Sequence, residues 1–430
     1  MKKIAVAFLL LVVAASVVAL FLHEQGSRAI EVLVEQMSAP LAIITPVDPN
    51  ADISPQPPLS NPPSVIKAAY VTSWAAGSNK KMAYVKRLLE ETELNAVVID
   101  VKDYTGVISY DADLADAKRY GATERRIPRI NALIKELHDA GVYVIARIAV
   151  FEDQRLPLAH PEWALQSKKT GKQWRDYKGL MWMDPGARGV WDYTIAIAKD
   201  ALARGFDEVN LDYIRFASDG ELADVRYPVW DGKTPKKETM RQFFAYVRQA
   251  IPDAKLSADL FGMTTTNNDD LNIGQYLEYA MPYFDAIAPM VYPSHYTSGF
   301  IGITHPARAP YDVVRYSLSE AIKRMKAYIA ARDTALATIG AANVSAGAMT
   351  VPLPLRAKLR PWLQDFNLGA TYDAEKIQAQ IRATTDAARE CADTCDGLIH
   401  DEAIDGRFIG GWMLWNAGGT YTEEALRISD

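Results

Sequence analysis

Two aspartates, Asp212 and Asp259, lie near the ends of two apolar runs of the sequence, EVNLDYI and KLSADLF. Cleavage of a glycosidic bond requires two carboxyl groups: one stays ionised below the anomeric carbon, and the other has a raised pKa and protonates the leaving oxygen. Arg147 and Arg215 could pair with Asp212 and keep it ionised. These residues therefore predict glycosidic cleavage. The alternative is that Asp212, Arg147 and Arg215 form a purely structural network of ion pairs.

Short apolar, β-branched runs alternate with helical patterns from Ser64 onward, which is typical of parallel βα units in an α/β fold. The predicted strands cover residues 66–72, 95–102, 142–150, 208–214, 255–261, 285–292, 359–366 and 408–415. The predicted helices cover about residues 79–93, 127–140, 190–204, 235–250, 271–283, 316–333 and 374–390, with a last one after Thr422. Eight such units predict a (β/α)8 TIM barrel.

An open doubly wound sheet is the alternative, but the sequence contains neither of the glycine-rich nucleotide motifs that would support it. Two connections are too long for plain crossovers, one from Glu152 to Asp207 and one from Tyr292 to the helix near Tyr316. We therefore expect long βα insertions after strands 3 and 6, where insertions usually form the walls of an active site.

Polar and aromatic residues concentrate at the carboxyl ends of the predicted strands, which is where barrel enzymes place their chemistry. The residues predicted to bind substrate there are Asp100, Lys102, Arg147, Arg215, Tyr292, His295, Gln364, Asp365, Trp415 and Asn416. Asp100, Lys102 and Asp365 could instead pair with one another. The tryptophans at positions 74, 182, 412 and 415 could stack on sugar rings or belong to the packing of the wall.

The N-terminus predicts a membrane anchor. Met1, Lys2 and Lys3 precede an uncharged run from Ile4 to Leu22, which is long enough to cross about 30 Å of hydrocarbon as a helix. We predict a signal anchor over residues 1–25, a proline-rich linker over 26–64 and the barrel domain over 65–430. The positive end stays cytoplasmic, so the barrel would lie outside the cytoplasm, in the periplasm or the extracellular space. Secretion after cleavage of a signal peptide is the alternative.

Composition excludes several other classes of protein. With 49% hydrophobic and 23% charged residues the chain is typical of a globular protein, and its net charge of -6 does not favour nucleic acid as a partner. Cys391 and Cys395 could form a small local disulfide in an oxidising compartment. The six histidines contain no H-x-H or H-x-x-x-H pair, which argues against a metal-dependent amidohydrolase or deacetylase. We expect no metal and no cofactor.

Several long motifs, taken in order, carry a resemblance: GFDEVNLDYIRF, LSADLFG, IAPMVYPSHY, LRPWLQDF and GWMLWNAGGTY. From about Ile66 to the C-terminus the chain resembles the glycoside hydrolase-like domain of bacterial envelope proteins, long catalogued as a domain of unknown function. The resemblance implies a TIM barrel, loosely of the alpha-amylase type, with Asp212 as nucleophile on strand four and Asp259 as acid/base on strand five. The family's strand-four motif reads DYIRFP, whereas Ala217 follows Phe216 here.

Together with the N-terminal segment, these observations predict a membrane-anchored, extracytoplasmic glycoside hydrolase whose substrate is a polysaccharide or a cell-envelope glycan. The amylase type has a glutamate at strand five, where this chain has the shorter Asp259. The alternative is therefore a non-catalytic protein that binds glycan or serves as a cell-wall scaffold.

Overall fold

A closed barrel of eight parallel strands dominates the computed structural model, which describes residues 51–342, 351–393 and 407–427, together with residues 20, 22 and 23. The strands are β1 (Ile66–Val71), β2 (Ala96–Lys102), β3 (Tyr143–Ala149), β4 (Glu208–Asp212), β5 (Leu256–Phe261), β6 (Ala286–Met290), β7 in two pieces (Lys358–Leu359 and Trp362–Gln364) and β8 (Gly411–Trp415). Each strand pairs with the next, and β8 pairs with β1. The closure confirms the TIM barrel and excludes the open sheet.

Helices surround this barrel, as the alternating pattern of the sequence predicts. They are α1 (Ser73–Ala76), α2 (Asn79–Glu91), α3 (Ala115–Arg119), α4 (Ile130–Asp139), α5 (Leu156–Ala159), α6 (Arg188–Arg204), α7 (Lys236–Ala250), α8 (Leu277–Ala280), α9 (Pro310–Ala342) and α10 (Ala374–Asp393). In α2 the buried residues Met82, Val85 and Leu88 recur every third position and face the barrel. Every residue of β2, β3 and β4 is buried, because side chains cover both faces of these strands.

Three elements differ most from the helices that the sequence predicts. The helix predicted over 271–283 is only the single turn α8, because Leu271 and Asn272 adopt left-handed backbone angles with φ of 52° and 55°. The helix predicted after Thr422 is a short 3-10 turn, Glu423–Ala425. Helix α9, in contrast, extends beyond both ends of the predicted range 316–333.

The long connections predicted after β3 and β6 are present. The one after β3 contains α5, a 3-10 turn and a short strand, Gln166–Ser167, which pairs antiparallel with Val225–Arg226. This second strand belongs to the connection between β4 and α7, whose length the sequence analysis did not single out. The two connections therefore support each other above one side of the barrel mouth.

Residues 52–63, which the sequence analysis assigns to the proline-rich linker, lie against the barrel. The Asp52 carboxylate accepts hydrogen bonds from the backbone N–H groups of Asn131 (2.9 Å) and Ala132 (3.0 Å) in the first turn of α4. The N–H of Leu59 donates to Oδ1 of Asp207, just before β4, at 2.6 Å. This part of the linker is thus attached to the domain by specific hydrogen bonds.

The membrane anchor remains a prediction, because almost all of residues 1–25 lie outside the described residues. In the described part of the chain, no helix is long and apolar enough to cross a bilayer. The predicted disulfide is likewise untested, since Cys395 and the side chain of Cys391 also lie outside the described residues.

Candidate active site

Asp212 and Asp259 occupy neighbouring positions on adjacent strands. Asp212 is the last residue of β4, and Leu211 just before it is in register with Ala258 of β5. In-register residues of a parallel pair point to the same face of the sheet, so the side chains of Asp212 and Asp259 share the interior at the carboxyl end of the barrel. The structure therefore brings the two predicted catalytic residues together.

Arg147 of β3 is the charge centre of this region. Its Nη1 donates to Oδ1 of Asp100 at 2.5 Å, its Nη2 donates to Oδ2 of Asp212, and its Nε lies 3.8 Å from Oδ2 of Asp259. Burial lowers the pKa of Arg147, but the negative charges of Asp100 and Asp212 outweigh this effect. The pKa therefore lies well above its ordinary value, and the guanidinium stays charged. Tyr70 holds Asp100 from the other side, with its hydroxyl 2.5 Å from Oδ2.

Burial favours the protonated form of Asp259. Burial and the negative charge of Asp212 raise its pKa to about 8, against the opposing effects of Arg147 and of two hydrogen bonds. Those two bonds come to its Oδ1 from Nδ2 of Asn210 and Nε1 of Trp362, each at 2.8 Å. The site thus contains an aspartate paired with an arginine beside a second aspartate whose protonated form is favoured by its surroundings.

The backbone after Asp212 fixes the orientation of its carboxylate. Tyr213 has a φ of 53°, which is rare for an aromatic residue, and its N–H donates to Oδ1 of Asp212 at 2.6 Å. Unfavourable backbone conformations of this kind persist where the surrounding structure enforces them, and they cluster at functional sites. Both oxygens of Asp212 are consequently held, one by Tyr213 and the other by Arg147.

Arg215 does not pair with Asp212, contrary to the prediction. Its Nη1 donates to the backbone oxygen of Phe216 (3.2 Å) and to Oγ of Ser218 (2.9 Å), and its guanidinium lies 4.6 Å from the ring centre of Trp182. The left-handed residue Tyr213 turns the chain out of the strand, so a spacing of three residues does not return Arg215 to the same carboxylate.

Glu152 is a candidate that the sequence analysis did not select. It lies three positions after the last residue of β3, is buried, and forms a backbone bridge with Trp182 of the following connection. Burial raises its pKa to about 7, with Arg215 opposing the shift and Asp176 and Asp212 adding to it. Its position just beyond a strand end was the only signal in the sequence, and its buried environment depends on the folded connection.

Tyr292 and Trp415, which the sequence predicts to bind substrate, lie near the two aspartates and Tyr70. Burial, together with the charges of Asp259 and Asp212, raises the pKa of Tyr292 well above its ordinary value, so its hydroxyl stays protonated. The ring of Trp415 stacks on that of Tyr70 with centroids 3.9 Å apart. His295 is exposed next to Tyr292, with ring centroids 5.3 Å apart. These rings form one wall of the barrel mouth.

The predicted contact of Lys102 with substrate conflicts with its surroundings. Its side chain is 2% exposed, and its Nζ lies 2.7 Å from Oδ2 of Asp153 and donates to the backbone oxygen of Ala149 at 2.6 Å. An ammonium group enclosed in this way stabilises the connection after β3 and is not accessible to a sugar.

Three further residues that the sequence predicts to contact substrate instead form hydrogen bonds within the protein: Gln364, Asp365 and Asn416. Oε1 of Gln364 accepts from Oγ of Ser294 at 2.9 Å, and Asp365 accepts from the N–H and the hydroxyl of Thr422 at 2.9 and 2.8 Å. Nδ2 of Asn416 donates to the backbone oxygens of Asp365 and Thr420. These side chains fix the loops after β6, β7 and β8.

The four tryptophans named from the sequence differ in exposure. Trp182 and Trp412 are 1% and 2% exposed and belong to the packing, whereas the side chain of Trp74 is 61% exposed. The guanidinium of Arg126 covers one face of the Trp74 ring at 5.0 Å from its centre. Arg126 itself pairs with Asp103 at 2.7 Å, so the indole is held in place on one side.

A cavity of about 840 Å³ lies at the opposite, amino-terminal end of the barrel. Its lining includes Pro58 and Leu59 of the linker and the buried ion pair between Glu208 and Arg360. The Glu208 carboxylate also accepts a hydrogen bond from Ser257 at 2.5 Å, so protein groups hold it on two sides. The two aspartates grouped around Arg147, Asp212 and Asp259, lie at the other end, and we therefore place the candidate site there.

Known proteins support the fold and the family. A family profile described as "Putative glycosyl hydrolase domain" matches residues 68–391, and no curated protein matches the chain. The PgaB (BpsB) glycoside hydrolase domain from Bordetella bronchiseptica is 13% identical, with a TM-score of 0.54, and the match covers 86% of this chain and 100% of that one. At this identity the likeness concerns the fold.

Two further solved structures are similar over parts of the chain. A hypothetical protein from Ruminiclostridium thermocellum is 33% identical over 48% of this chain and 98% of its own, with a TM-score of 0.42. The maltogenic alpha-amylase AmyB from Thermotoga neapolitana is 14% identical over 84% of this chain and 69% of its own, with a TM-score of 0.39.

Proposed function

Because the chain belongs to the family described as "Putative glycosyl hydrolase domain", we propose that it cleaves glycosidic bonds in a polysaccharide or a cell-envelope glycan by a two-carboxylate mechanism. Asp212 is the nucleophile in this proposal, and a neighbouring carboxyl group that holds a proton at neutral pH supplies the acid. Asp259 is the acid that the sequence predicts.

The observation that carries the proposal is the pair Asp212 and Asp259. The Asp212 carboxylate is paired with Arg147, whereas Asp259 beside it has a pKa of about 8. Two carboxyl groups whose environments separate their protonation states are what glycosidic cleavage requires. The proton on Tyr292 and the aromatic wall formed with Trp415 supply a hydrogen-bond donor and a stacking surface for a sugar ring.

The arrangement suits a reaction in two steps. An oxygen of Asp212 would attack the anomeric carbon while the glycosidic oxygen receives a proton and leaves, and water would then release the sugar from Asp212. Arg147 holds the carboxylate in place before the attack, which limits the orientational freedom that has to be lost in the transition state.

A non-catalytic glycan-binding protein is the second candidate, and the burial of Asp259 favours it. This side chain is only 1% exposed, and its Oδ1 is engaged by Asn210 and Trp362. A barrel that lost its chemistry could retain such a buried aspartate for packing alone. Glycan binding without turnover, unchanged in Asp259→Asn, is the result expected from this alternative.

The proposal also includes the extracytoplasmic location predicted from residues 1–25. The full-length chain should sediment with membranes and expose the barrel to added protease in intact spheroplasts. A variant that begins at Asp52 should remain in the supernatant. Sedimentation of both proteins with membranes would contradict an N-terminal anchor.

The decisive experiment measures the release of reducing ends from a panel of polysaccharides and cell-wall glycans. The wild type should release them, and Asp212→Asn should abolish the release while the thermal unfolding curve shows a folded protein. Asp113→Asn is the matched control, because the side chain of Asp113 is fully exposed. Retained activity in Asp212→Asn would remove Asp212 as the nucleophile, and an inactive wild type would favour the binding protein.

A further inference from the structure

Glu152 lies beside Asp212, on the outer side of the barrel mouth. The backbone hydrogen bonds between β3 and β4 continue beyond the end of β3: the N–H of Val150 donates to the oxygen of Asp212 at 2.9 Å, and that of Phe151 donates to the oxygen of Tyr213 at 3.3 Å. Glu152 is the next residue. It therefore lies one step further towards solvent than the pair formed by Phe151 and Tyr213.

The carboxyl group of Glu152 remains available at the barrel mouth. Among the described residues, no hydrogen bond or ion pair engages this group, although only 5% of the residue is exposed. Neither of its oxygens is fully enclosed, so the carboxyl group keeps contact with the space of the barrel mouth and is available to a ligand. The charged groups around it are Arg215, Lys178, Asp176 and Asp212.

Asp259 is placed less well for contact with a leaving group. It is the fourth of six residues in β5, so Leu260 and Phe261 follow it before the strand ends, whereas Glu152 lies beyond the end of β3. A glycan enters a barrel from the carboxyl ends of the strands. The leaving oxygen above Asp212 is consequently nearer to the level of Glu152 than to that of Asp259.

We propose that Glu152, and not Asp259, is the acid and base of the reaction, an inference that rests on the proposed glycosidase function. Asp259 then acts as a positioning residue that maintains the pocket beside Asp212 through its contacts with Asn210 and Trp362. Arg215 and Lys178 near Glu152 stabilise its carboxylate form after the proton has left.

The proton balance of the two steps is as follows. In the first step the Glu152 carboxyl gives its proton to the glycosidic oxygen, the bond from the anomeric carbon to that oxygen breaks, and an Asp212 oxygen forms the new bond to carbon. In the second step the Glu152 carboxylate takes a proton from water, the water oxygen attacks the same carbon, and Asp212 leaves as a carboxylate. The anomeric configuration is retained.

The test compares Glu152→Gln with Asp259→Asn on phenyl and 2,4-dinitrophenyl glycosides of glucose, galactose and N-acetylglucosamine in both anomeric forms. Loss of a general acid lowers kcat/KM for the phenyl glycosides by about 10²- to 10⁴-fold. It changes formation of the glycosyl-enzyme from the dinitrophenyl glycosides little, because dinitrophenolate leaves without a proton. We expect this pattern, and acceleration of the second step by azide, for Glu152→Gln alone.

A control and a measurement that does not depend on activity complete the test. Glu162→Gln changes an exposed glutamate of the same connection and should behave as the wild type. Carbon-13 NMR of protein labelled at the glutamate carboxyl should show Glu152 titrating near pH 7, and Asp212→Asn should lower this midpoint by removing a negative charge.

The outcomes separate the two proposals. Leaving-group dependence and azide acceleration in Asp259→Asn, with Glu152→Gln unaffected, would overturn the role of Glu152 and keep the glycosidase. A wild type that turns over neither these glycosides nor the glycan panel would contradict the glycosidase itself. A Glu152 midpoint that does not respond to Asp212→Asn would show that the two carboxyl groups are not neighbours in solution, which would also overturn the inference.

Discussion

The guanidinium of Arg147 and the carboxylate of Asp212 form a buried ion pair between the adjacent strands β3 and β4. The same guanidinium binds Asp100 on β2, so one side chain connects three consecutive strands at the mouth of the barrel. The pair serves the structure and the proposed chemistry together, because the group that closes this part of the barrel also holds the nucleophile.

Arg147→Ala should strongly destabilise the protein, because it leaves the Asp100 and Asp212 charges buried without compensation. Removal of one partner of a buried ion pair typically costs about 3–5 kcal/mol. Urea denaturation at neutral pH measures the change in free energy of unfolding. Arg119→Ala is the control, since it breaks an exposed pair with Asp116 and should change stability little. Equal effects of the two substitutions would contradict a buried network.

The stability of the protein should fall as the pH rises towards 8. The pKa of Asp259 is raised to about 8 by burial and by the charge of Asp212, whereas an aspartate of an unfolded chain has a pKa of about 4. The folded state thus binds a proton that the unfolded state has lost, and the stabilisation is complete below the lower pKa and disappears through the higher one. The expected slope is up to about 1.4 kcal/mol per pH unit.

Asp259→Asn should reduce this slope, because asparagine resembles the protonated carboxyl group and does not titrate. Urea denaturation at several pH values between about 5 and 8 measures the slope. Some of it will remain, since burial also raises the pKa of Glu152 to about 7. Trp362→Phe is the control: it removes a hydrogen bond to Asp259 but keeps the titrating group, so it should lower stability and preserve the fall with pH. An unchanged slope in Asp259→Asn would show that Asp259 is ionised in the folded protein.

The strands could be predicted from the sequence because each is a short apolar run, and apolar runs of that length are buried whatever surrounds them. The alignment of Asp212 with Asp259 followed from the same pattern. Backbone conformation was harder to predict from the sequence. Tyr213 and Leu271 have left-handed backbone angles, and neither residue type indicates such a conformation. These two positions account for the failed pairing of Arg215 and for the missing turns before α8.

The partners of polar residues were the least predictable part of the site. Asp365 is satisfied by Thr422, and Gln364 by Ser294, across separations of 57 and 70 residues. A residue type at a strand end indicates that a polar group is near the mouth, but not whether protein or substrate satisfies it. Glu152 illustrates the reverse case, since its lack of a protein partner becomes visible only in the folded chain.

Asp52→Ala should destabilise the barrel domain, although residue 52 lies outside the predicted domain boundary. Its carboxylate caps the first turn of α4, where no side chain of the adjacent sequence does so. Loss of an N-terminal cap typically costs about 1 kcal/mol. Asp52→Asn, which can keep one acceptor oxygen, should retain much of the stability. Thermal unfolding of the two variants tests this, and identical curves for Asp52→Ala and wild type would show that the linker is detached in solution.

Trp74→Ala should weaken glycan binding without destabilising the protein. Arg126 covers one face of the exposed indole, which leaves the other face open for stacking on a sugar ring. Titration calorimetry in the Asp212→Asn background, with oligosaccharides from the glycan that the wild type cleaves, should show a loss of about 1 kcal/mol or more in binding. Trp182→Ala provides the contrast, because truncation of this buried ring should cost about 3–5 kcal/mol of folding stability. Unaltered affinity in Trp74→Ala would exclude Trp74 from the binding surface.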